Sequence, residues 1–431
     1  MKEGRIMKFQ IYTLGCKVNT YESEMMKEKM LASGYVYDEE NPDIIIVNTC
    51  SVTNMADHKS QKMVRHFKRN NPQALLVVCG CSSENDPKPY EEVGIDILLG
   101  NNKKSEIVSL IEQYIKTHEP YTYFAGTRKL PFEDMQIAQF KTHTRAFVKI
   151  EDGCDNFCSY CVIPLVRGSI RHKDFDIVVE EVKTLVLHGH QEIVFTGIHT
   201  GSYHSNGHDL TDLIHEVSQI DGLKHIRISS IEMTELDDKF LNELRDNPKI
   251  CNHLHIPLQA GTDEILKRMN RKYSVFEFKR KIAKIRDIRP DISISTDIIV
   301  GFPGETNELF EQTLMVAREL QFSKIHVFPY SVRKNTKAAL MDNQVDEKEK
   351  HERSKRLVAL SKELEEEYAK RFIGQTLDVL IEKNGKESIG TTSNYLKVRI
   401  MEDIGKNKIV QLKIICYEKG ILIGERIACK V

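Results

Sequence analysis

The chain has 431 residues, too many for one hydrophobic core and enough for two to four domains. Hydrophobic residues make up 40% and charged residues 29%, the balance of a soluble globular protein. Basic and acidic side chains nearly cancel, 62 against 63, so a global basic field is excluded and any nucleic-acid contact must come from local patches.

The longest apolar runs, such as residues 74–79, fall far short of a bilayer span, and the N-terminus lacks the apolar stretch of a signal peptide. A cytoplasmic protein without a membrane partner is expected. Thiols stay reduced there, so the ten cysteines read as metal ligands or core residues rather than disulfides.

The first 120 residues alternate strand and helix patterns. Strands are expected at 9–14, 43–48 and 74–79, and helices over 21–32, 57–70 and 105–115. This alternation predicts an α/β architecture with a doubly wound parallel sheet. Residues 121–143 show no clear period and read as a linker. Strand patterns resume at 146–150, 192–196, 225–229, 254–257, 292–299 and 324–328, separated by helical stretches, which predicts a full or partial parallel barrel. The Lys/Glu-rich stretch 347–371 reads as a solvated helical connector. Beyond Phe372, short strands with Gly and Asn turns predict a small closed β-barrel, whose slight basic excess suits an RNA-facing module. The expected division is 7–120, a linker over 121–143, a core over 144–371, and 372–431.

The strongest chemical signal is CDNFCSYC, which sets Cys154, Cys158 and Cys161 on one loop after the first barrel strand. Three thiolates can hold three irons of a cubane cluster. With no fourth local cysteine one iron stays open, as catalytic metal sites require. The competing reading is a zinc site that borrows His172 or another residue. A second trio lies in the first domain: Cys16, Cys50 and Cys81 each follow an expected strand, and the carboxyl ends of parallel strands line one crevice. Three unrelated core thiols are the alternative there. Cys79, Cys251, Cys416 and Cys429 are expected to be core or surface thiols.

The cysteine loop, with Tyr160 before its last cysteine, resembles the radical S-adenosylmethionine (SAM) superfamily. DGCDNFCSYCVIP followed by RGSIR, LGCKVNTYESE around Cys16, VNTCSVT around Cys50, GC at Cys81, HIPLQAGTDEILKRMNRKY and DIIVGFPGET resemble the methylthiotransferase family in particular. The C-terminal segment resembles a TRAM domain, an RNA-binding appendage. The resemblance covers nearly the whole chain. It implies a partial (βα)6 radical SAM barrel, SAM itself and two 4Fe-4S clusters. By position, Cys154, Cys158 and Cys161 would bind the SAM-cleaving cluster, and Cys16, Cys50 and Cys81 the auxiliary cluster that holds the inserted sulfur.

The same resemblance suggests SAM contacts at Tyr160, at Thr196 and Gly197, at Ser230 and Glu232, at Gln259, and at Gly301 and Pro303 in a turn beside the adenine. Arg167 and Arg171 are candidates to pair with the SAM carboxylate or with RNA phosphate. Two basic groups, Lys59, Lys62, Arg65, Lys68 and Arg69, and Lys267, Arg268, Arg271 and Lys272, are candidates to grip tRNA phosphates. A low-potential electron donor such as flavodoxin or ferredoxin is implied as a partner.

Within the family, GCKVN at residues 15–19 and TGIHTGSY at residues 196–203 resemble the branch that acts on N6-threonylcarbamoyladenosine beside the tRNA anticodon. A GCQMN-like stretch would have suggested isopentenyladenosine, and a GCPKN-like one a ribosomal-protein aspartate. The expected product is the 2-methylthio derivative of threonylcarbamoyladenosine. The chain departs from the family after Arg167-Gly168, reading Ser169-Ile-Arg171-His172-Lys173 where a Ser-Arg pair is common. The rival from another class is a non-catalytic RNA-binding protein with two structural metal sites.

Overall fold

A computed structural model describes residues 6–126, 130–140 and 143–427. The first unit is a six-stranded parallel sheet. Its strands are β1 (Lys8–Thr13), β2 (Val36–Tyr37), β3 (Ile44–Thr49), β4 (Leu75–Gly80), β5 (Ile97–Leu99) and β6 (Tyr121–Tyr123), in the spatial order β2-β1-β3-β4-β5-β6. β3 (IIIVNT) and β4 (LLVVCG) are buried at every position, as inner strands covered on both faces must be. The helix Lys17–Ala32 follows β1. The basic helix Asn54–Asn70 follows β3 and is capped by Thr53, whose side chain accepts from Ala56 N.

Tyr121–Tyr123 pairs in parallel with β5, so the stretch read as linker begins as the edge strand of this sheet. Three residues are too few for a period, and only the tertiary pairing defines them. Farther along the same stretch, Met135, Ile137 and Phe140 are buried in the main core, so it packs rather than hangs between units.

The central unit carries six parallel strands: β7 (Ala146–Lys149), β10 (Glu192–Thr196), β13 (His225–Ile228), β14 (His253–His255), β15 (Ser293–Val300) and β16 (Lys324–Pro329). Two short antiparallel pairs are inserted among them: β8 (Glu151–Asp152) with β9 (Arg171–His172), and β11 (His204–Ser205) with β12 (His208–Asp209). The ladders run β7-β10-β13 and β14-β15-β16, and a parallel bridge from Ile226 to Ile250 joins them into one curved wall. This is the partial six-stranded barrel. Helices such as Phe175–Leu187 and Val275–Ile288 cover its outside, the second capped by a reciprocal Ser274–Glu277 box.

The helix Glu347–Lys370 corrects the solvated-connector expectation. Leu357, Leu360, Leu364 and Tyr368 are buried along one face. Ser361 Oγ accepts from Ile325 N at 3.0 Å and donates to Ile325 O at 3.1 Å, fixing the helix to β16. Most of its charges are exposed, but Lys350 and Arg353 are buried, Arg353 paired with Glu305 at 2.8 Å.

Residues beyond 372 close into a five-stranded barrel from β17 (Thr376–Lys383), β18 (Ser388–Thr392), β19 (Lys397–Ile400), β20 (Ile409–Glu418) and β21 (Ile421–Arg426), in the order β17-β18-β19-β21-β20. Closure leaves no free strand edge, and Val379, Ile381, Val398, Leu412 and Ile414 fill the interior. This barrel docks below the central one. Arg227 donates to Ser393 O at 3.0 Å and to Thr392 O at 3.2 Å, Arg145 pairs with Glu382 at 2.7 Å, and Tyr395 stacks on His253 with ring centroids 4.7 Å apart. Cys429 lies outside the described residues. Among the described residues no helix is long and apolar enough to cross a membrane.

Candidate active site between two cysteine trios

The first trio assembles from three βα junctions. Cys16 caps the helix Lys17–Ala32 after β1, Cys50 directly follows β3, and Cys81 opens the short helix Cys81–Asn85 after β4. Gly15 lets the first two loops meet. Its φ is +104°, and a Cβ there would lie 2.7 Å from both Cβ and Sγ of Cys50. Asn19 ties the loops by donating to Leu14 O at 2.7 Å and Thr49 O at 2.9 Å. Burial lifts the Cys50 thiol to about 12 and raises Cys81 as well. Thiols in such surroundings ionise when a metal takes the place of the proton.

The second trio sits on the loop after β7 and β8. Cys154 N donates to Gly168 O at 3.1 Å. The loop is gripped from across the barrel: Ser159 Oγ donates to Arg268 O at 2.8 Å, and Asn270 Nδ2 donates to Phe157 O at 3.0 Å. Arg271 Nη1 lies 3.3 Å from Cys158 Sγ, while its Nη2 pairs with Glu232. His199 sits against Cys154 and pairs with Glu235. Burial opposes its charge, but those two partners outweigh it and lift its pKa to about 10.

Arg167 ties the first trio to the barrel. It is 2% exposed. Its Nε donates to Cys81 Sγ at 3.3 Å, Nη1 contacts Glu22 and Asp152 at 3.0 Å each, and Nη2 donates to Asn19 at 2.8 Å. Lys149 bridges the same two carboxylates at 2.7 Å each, Lys104 pairs with Glu22, and Arg171 reaches Asp152 at 3.1 Å. The expectation that Arg167 and Arg171 meet SAM or RNA is therefore corrected. Both side chains are held in a buried ion network that binds the sheet to the barrel. The cysteine sites are further locked by Asn101 Nδ2 donating to Val166 O at 2.7 Å and by Arg333 reaching Ser51 Oγ at 2.6 Å.

Two cavities open between the trios. The smaller, about 180 Å³, lies between the Cys50 loop (Val52, Thr53) and the Cys161 loop (Tyr160, Val162), with Gln259 and Tyr330 on its walls. The larger, about 780 Å³, starts at Gly15, Cys16 and Lys17, passes Thr196, Gly197 and Ser230, and runs down the barrel lumen to Tyr395. Asp297 lines both.

Comparison with known proteins agrees with this geometry. The model of the Radical SAM superfamily matches residues 148–317, and that of the uncharacterized protein family UPF0004 matches residues 8–100. The threonylcarbamoyladenosine tRNA methylthiotransferase of Bacillus subtilis is 40% identical over 94% of this chain and 93% of its own length. The protein of the same name from Thermotoga maritima is 38% identical over 86% of each chain. The chain belongs to the radical SAM methylthiotransferase family. A tRNA-2-methylthio-N(6)-dimethylallyladenosine synthase of Caldicellulosiruptor saccharolyticus is 34% identical over 98% of this methylthiotransferase and 93% of its own length. Among solved structures, the radical SAM methyltransferase TsrM from Kitasatospora setae shares the fold, with a TM-score of 0.56 at 13% identity over 75% of each chain.

Membership implies a 4Fe-4S cluster and SAM, and the donor sets fit a multi-iron group. Among the described residues the one trio of His, Cys, Asp or Glu whose ligand atoms all lie within 4.8 Å of one another is Glu192, His225 and Cys251. Neither cysteine trio closes to that span, whereas four sulfurs about 2.3 Å from one zinc would stand roughly 3.8 Å apart. The Glu192 trio itself is already neutralised. Arg227 Nε donates to Glu192 at 2.9 Å and, against the penalty of burial, helps hold its carboxyl at about 2. Cys251 is thus a core thiol, as is Cys79.

The residues expected at SAM fall into four groups. Tyr160 and Gln259 line the smaller cavity, Gln259 with a φ of +67°. Thr196, Gly197 and Ser230 line the larger. Glu232 reaches the cysteine loop only through Arg271. Gly301 and Pro303 line neither cavity: a Cβ on Gly301 would meet the Lys350 side chain at 2.4 Å, so the turn packs on the helix Glu347–Lys370. Between them, Phe302 backs Tyr160 with ring centroids 6.4 Å apart. Arg271, read from the sequence as part of an RNA patch, and His199 are the contacts that sequence reasoning missed. Their motifs, KRMNRKY and TGIHTGSY, were the available signals.

Proposed function

We propose that this chain is a tRNA methylthiotransferase that converts N6-threonylcarbamoyladenosine, next to the anticodon, to its 2-methylthio derivative. One observation carries the reading: two separate cysteine trios, on facing sets of strand ends, share adjoining cavities that reach into the barrel lumen. The names and full-length coverage of the relatives support the substrate. We assign Cys154, Cys158 and Cys161 to the SAM-cleaving 4Fe-4S cluster and Cys16, Cys50 and Cys81 to an auxiliary one. When bound, these groups and SAM supply one-electron C–H chemistry, a sulfur atom and a methyl group.

The protein's part is placement. Tyr160, Gln259 and Tyr330 wall the small cavity between the trios. Arg271 and His199 set positive charge beside Cys158 and Cys154. Lys59, Lys62, Arg65 and Arg69 are exposed along the helix Asn54–Asn70, and Val52 and Met55 stand exposed at its start. We assign this face to tRNA phosphates and unstacked anticodon-loop bases. The C-terminal barrel, as a TRAM-like module, extends that grip. A cytoplasmic flavodoxin- or ferredoxin-like donor would supply the electrons.

Nucleoside mass spectrometry of tRNA from cells lacking the gene, and from cells complemented with it, tests the assignment. The 2-methylthio-threonylcarbamoyladenosine signal is expected to vanish and return. A change confined to the isopentenyl derivative would overturn the substrate and keep the chemistry. No change in either would overturn both.

A further inference from the structure

We propose that Lys17 is the receptor for the carboxylate carried by the N6 substituent of the substrate nucleoside, so that this substituent lies in the larger cavity and points toward the C-terminal barrel. The inference rests on the threonylcarbamoyladenosine reading above and names the group that would distinguish this nucleoside from its apolar counterpart.

The charges along that cavity are Lys17, Asp297, Lys324, Glu365 and Lys397, with three histidines. Lys324 pairs with Glu365 at 2.5 Å and Lys397 with Glu382 at 2.5 Å. Asp297 faces His255 Nε2 at 3.3 Å. Lys17 is left: its ammonium lies 3.5 Å from Ser229 Oγ, and among the described residues no carboxylate lies within ion-pair distance of it. An ammonium drawn into a cavity without a counter-ion is costly, and an anion entering that cavity removes the cost.

Surrounding groups report the same uncompensated field. Arg227 and Arg145 lie 4.6 Å and 5.3 Å from the centre of the Tyr395 ring. Burial pushes the Tyr395 phenol up, yet Lys17, Arg145 and Arg227 outweigh it and bring the phenol below its ordinary range. His253 is held well below its usual value by burial, then by Arg227, His255 and Lys17. His326 is lowered by burial and by His255, with Lys324 and Lys17 adding to that against Asp297.

Beside the apolar Val18 and Leu396, the wall presents hydroxyl and amide groups from Ser229, Ser230, Ser293, Ser295 and Asn394. Such groups can satisfy a hydroxyl, a urea and a carboxylate. They would be stranded by a prenyl tail, the kind of mismatch that gives strong discrimination. Lys17 directly follows Cys16, so the same short loop that presents a cysteine of the first trio would also fix the far end of the substituent.

The test uses reconstituted holoenzyme and an anticodon stem-loop RNA carrying threonylcarbamoyladenosine, its methyl ester, which removes the charge and little else, or isopentenyladenosine. Dissociation constants are read by fluorescence anisotropy, KM and kcat by methylthio product, and metal centres by iron content and electron paramagnetic resonance. Wild type is expected to bind the acid about 10-fold or more tightly than the ester, the scale of one charge-assisted hydrogen bond. Lys17→Gln should bind acid and ester alike, raise KM for the acid more than it lowers kcat, and keep the iron signature. Lys17→Arg should restore the preference.

Equal binding of acid and ester by wild type would overturn the proposal without any variant. So would a Lys17→Gln enzyme that keeps the acid preference while its iron signature changes, which would make Lys17 a partner of the metal site. If wild type instead turns over only isopentenyl RNA, the substrate reading itself falls. Turnover of threonylcarbamoyl RNA with no acid preference fails Lys17 alone.

Discussion

Arg167→Met is expected to destabilise the protein by about 3 to 5 kcal/mol, the cost of removing one partner from a buried ion pair. Arg167 is 2% exposed, and its guanidinium touches Glu22, Asp152, Asn19 and Cys81. Burial opposes the charge on Glu22, and Arg167, with Lys104 and Lys149, outweighs that penalty to hold its carboxyl far below the usual range. The same balance holds Asp152 down, with Arg167 the strongest opposing charge. Methionine fills the volume but returns none of this, and it leaves the buried Asn19 carbonyl and two buried carboxylates with fewer donors.

Because Glu22 belongs to the N-terminal sheet unit and Asp152 to the central one, thermal unfolding of Arg167→Met should show the sheet unit melting separately and earlier. Arg167→Lys should recover part of the loss, since it keeps the charge without the fork. An Arg167→Met protein that melts with wild type in one transition would contradict the role given to the network.

The second large effect is a split between two activities. Cys158→Ala is expected to abolish SAM cleavage, with 5′-deoxyadenosine at background. Cys50→Ala should still cleave SAM yet make no methylthiolated tRNA. The geometry behind this is the separation of the trios. Cys158 lies on the loop gripped by Ser159 and Asn270, and Arg271 stands 3.3 Å from its sulfur. Cys50 lies on another unit, after β3, packed against Gly15. Loss of both activities in each variant, measured on protein of unchanged fold, would mean that the trios act as one site.

Much of this was legible because it is local. IIIVNT and LLVVCG announce inner parallel strands, and the cysteines that follow them mark the crevice where strands end. CDNFCSYC needs only its own spacing. The illegible parts are long-range. Arg167 reads as a surface or ligand arginine until Glu22, 145 positions earlier, is brought beside it. Arg271 reads as one more member of a basic patch until the barrel curves it onto Cys158, 113 positions away. Tyr121–Tyr123 is a strand only because β5 offers it an edge. The helix Glu347–Lys370 hid its buried face behind lysines and glutamates, although Leu357, Leu360, Leu364 and Tyr368 fall at helical spacing. Lys17 is one letter in a motif until the charges along the cavity are paired off and it remains.

Iron and acid-labile sulfide, counted on anaerobically reconstituted protein, test the central claim of two cluster sites most directly. Wild type is expected to bind about eight irons and about eight sulfides per chain, two 4Fe-4S clusters. Replacing Cys16, Cys50 and Cys81 together by alanine should leave about four irons, and so should replacing Cys154, Cys158 and Cys161. Stoichiometric zinc without iron, or a wild-type iron count that the Cys16, Cys50 and Cys81 replacement leaves unchanged, would contradict it.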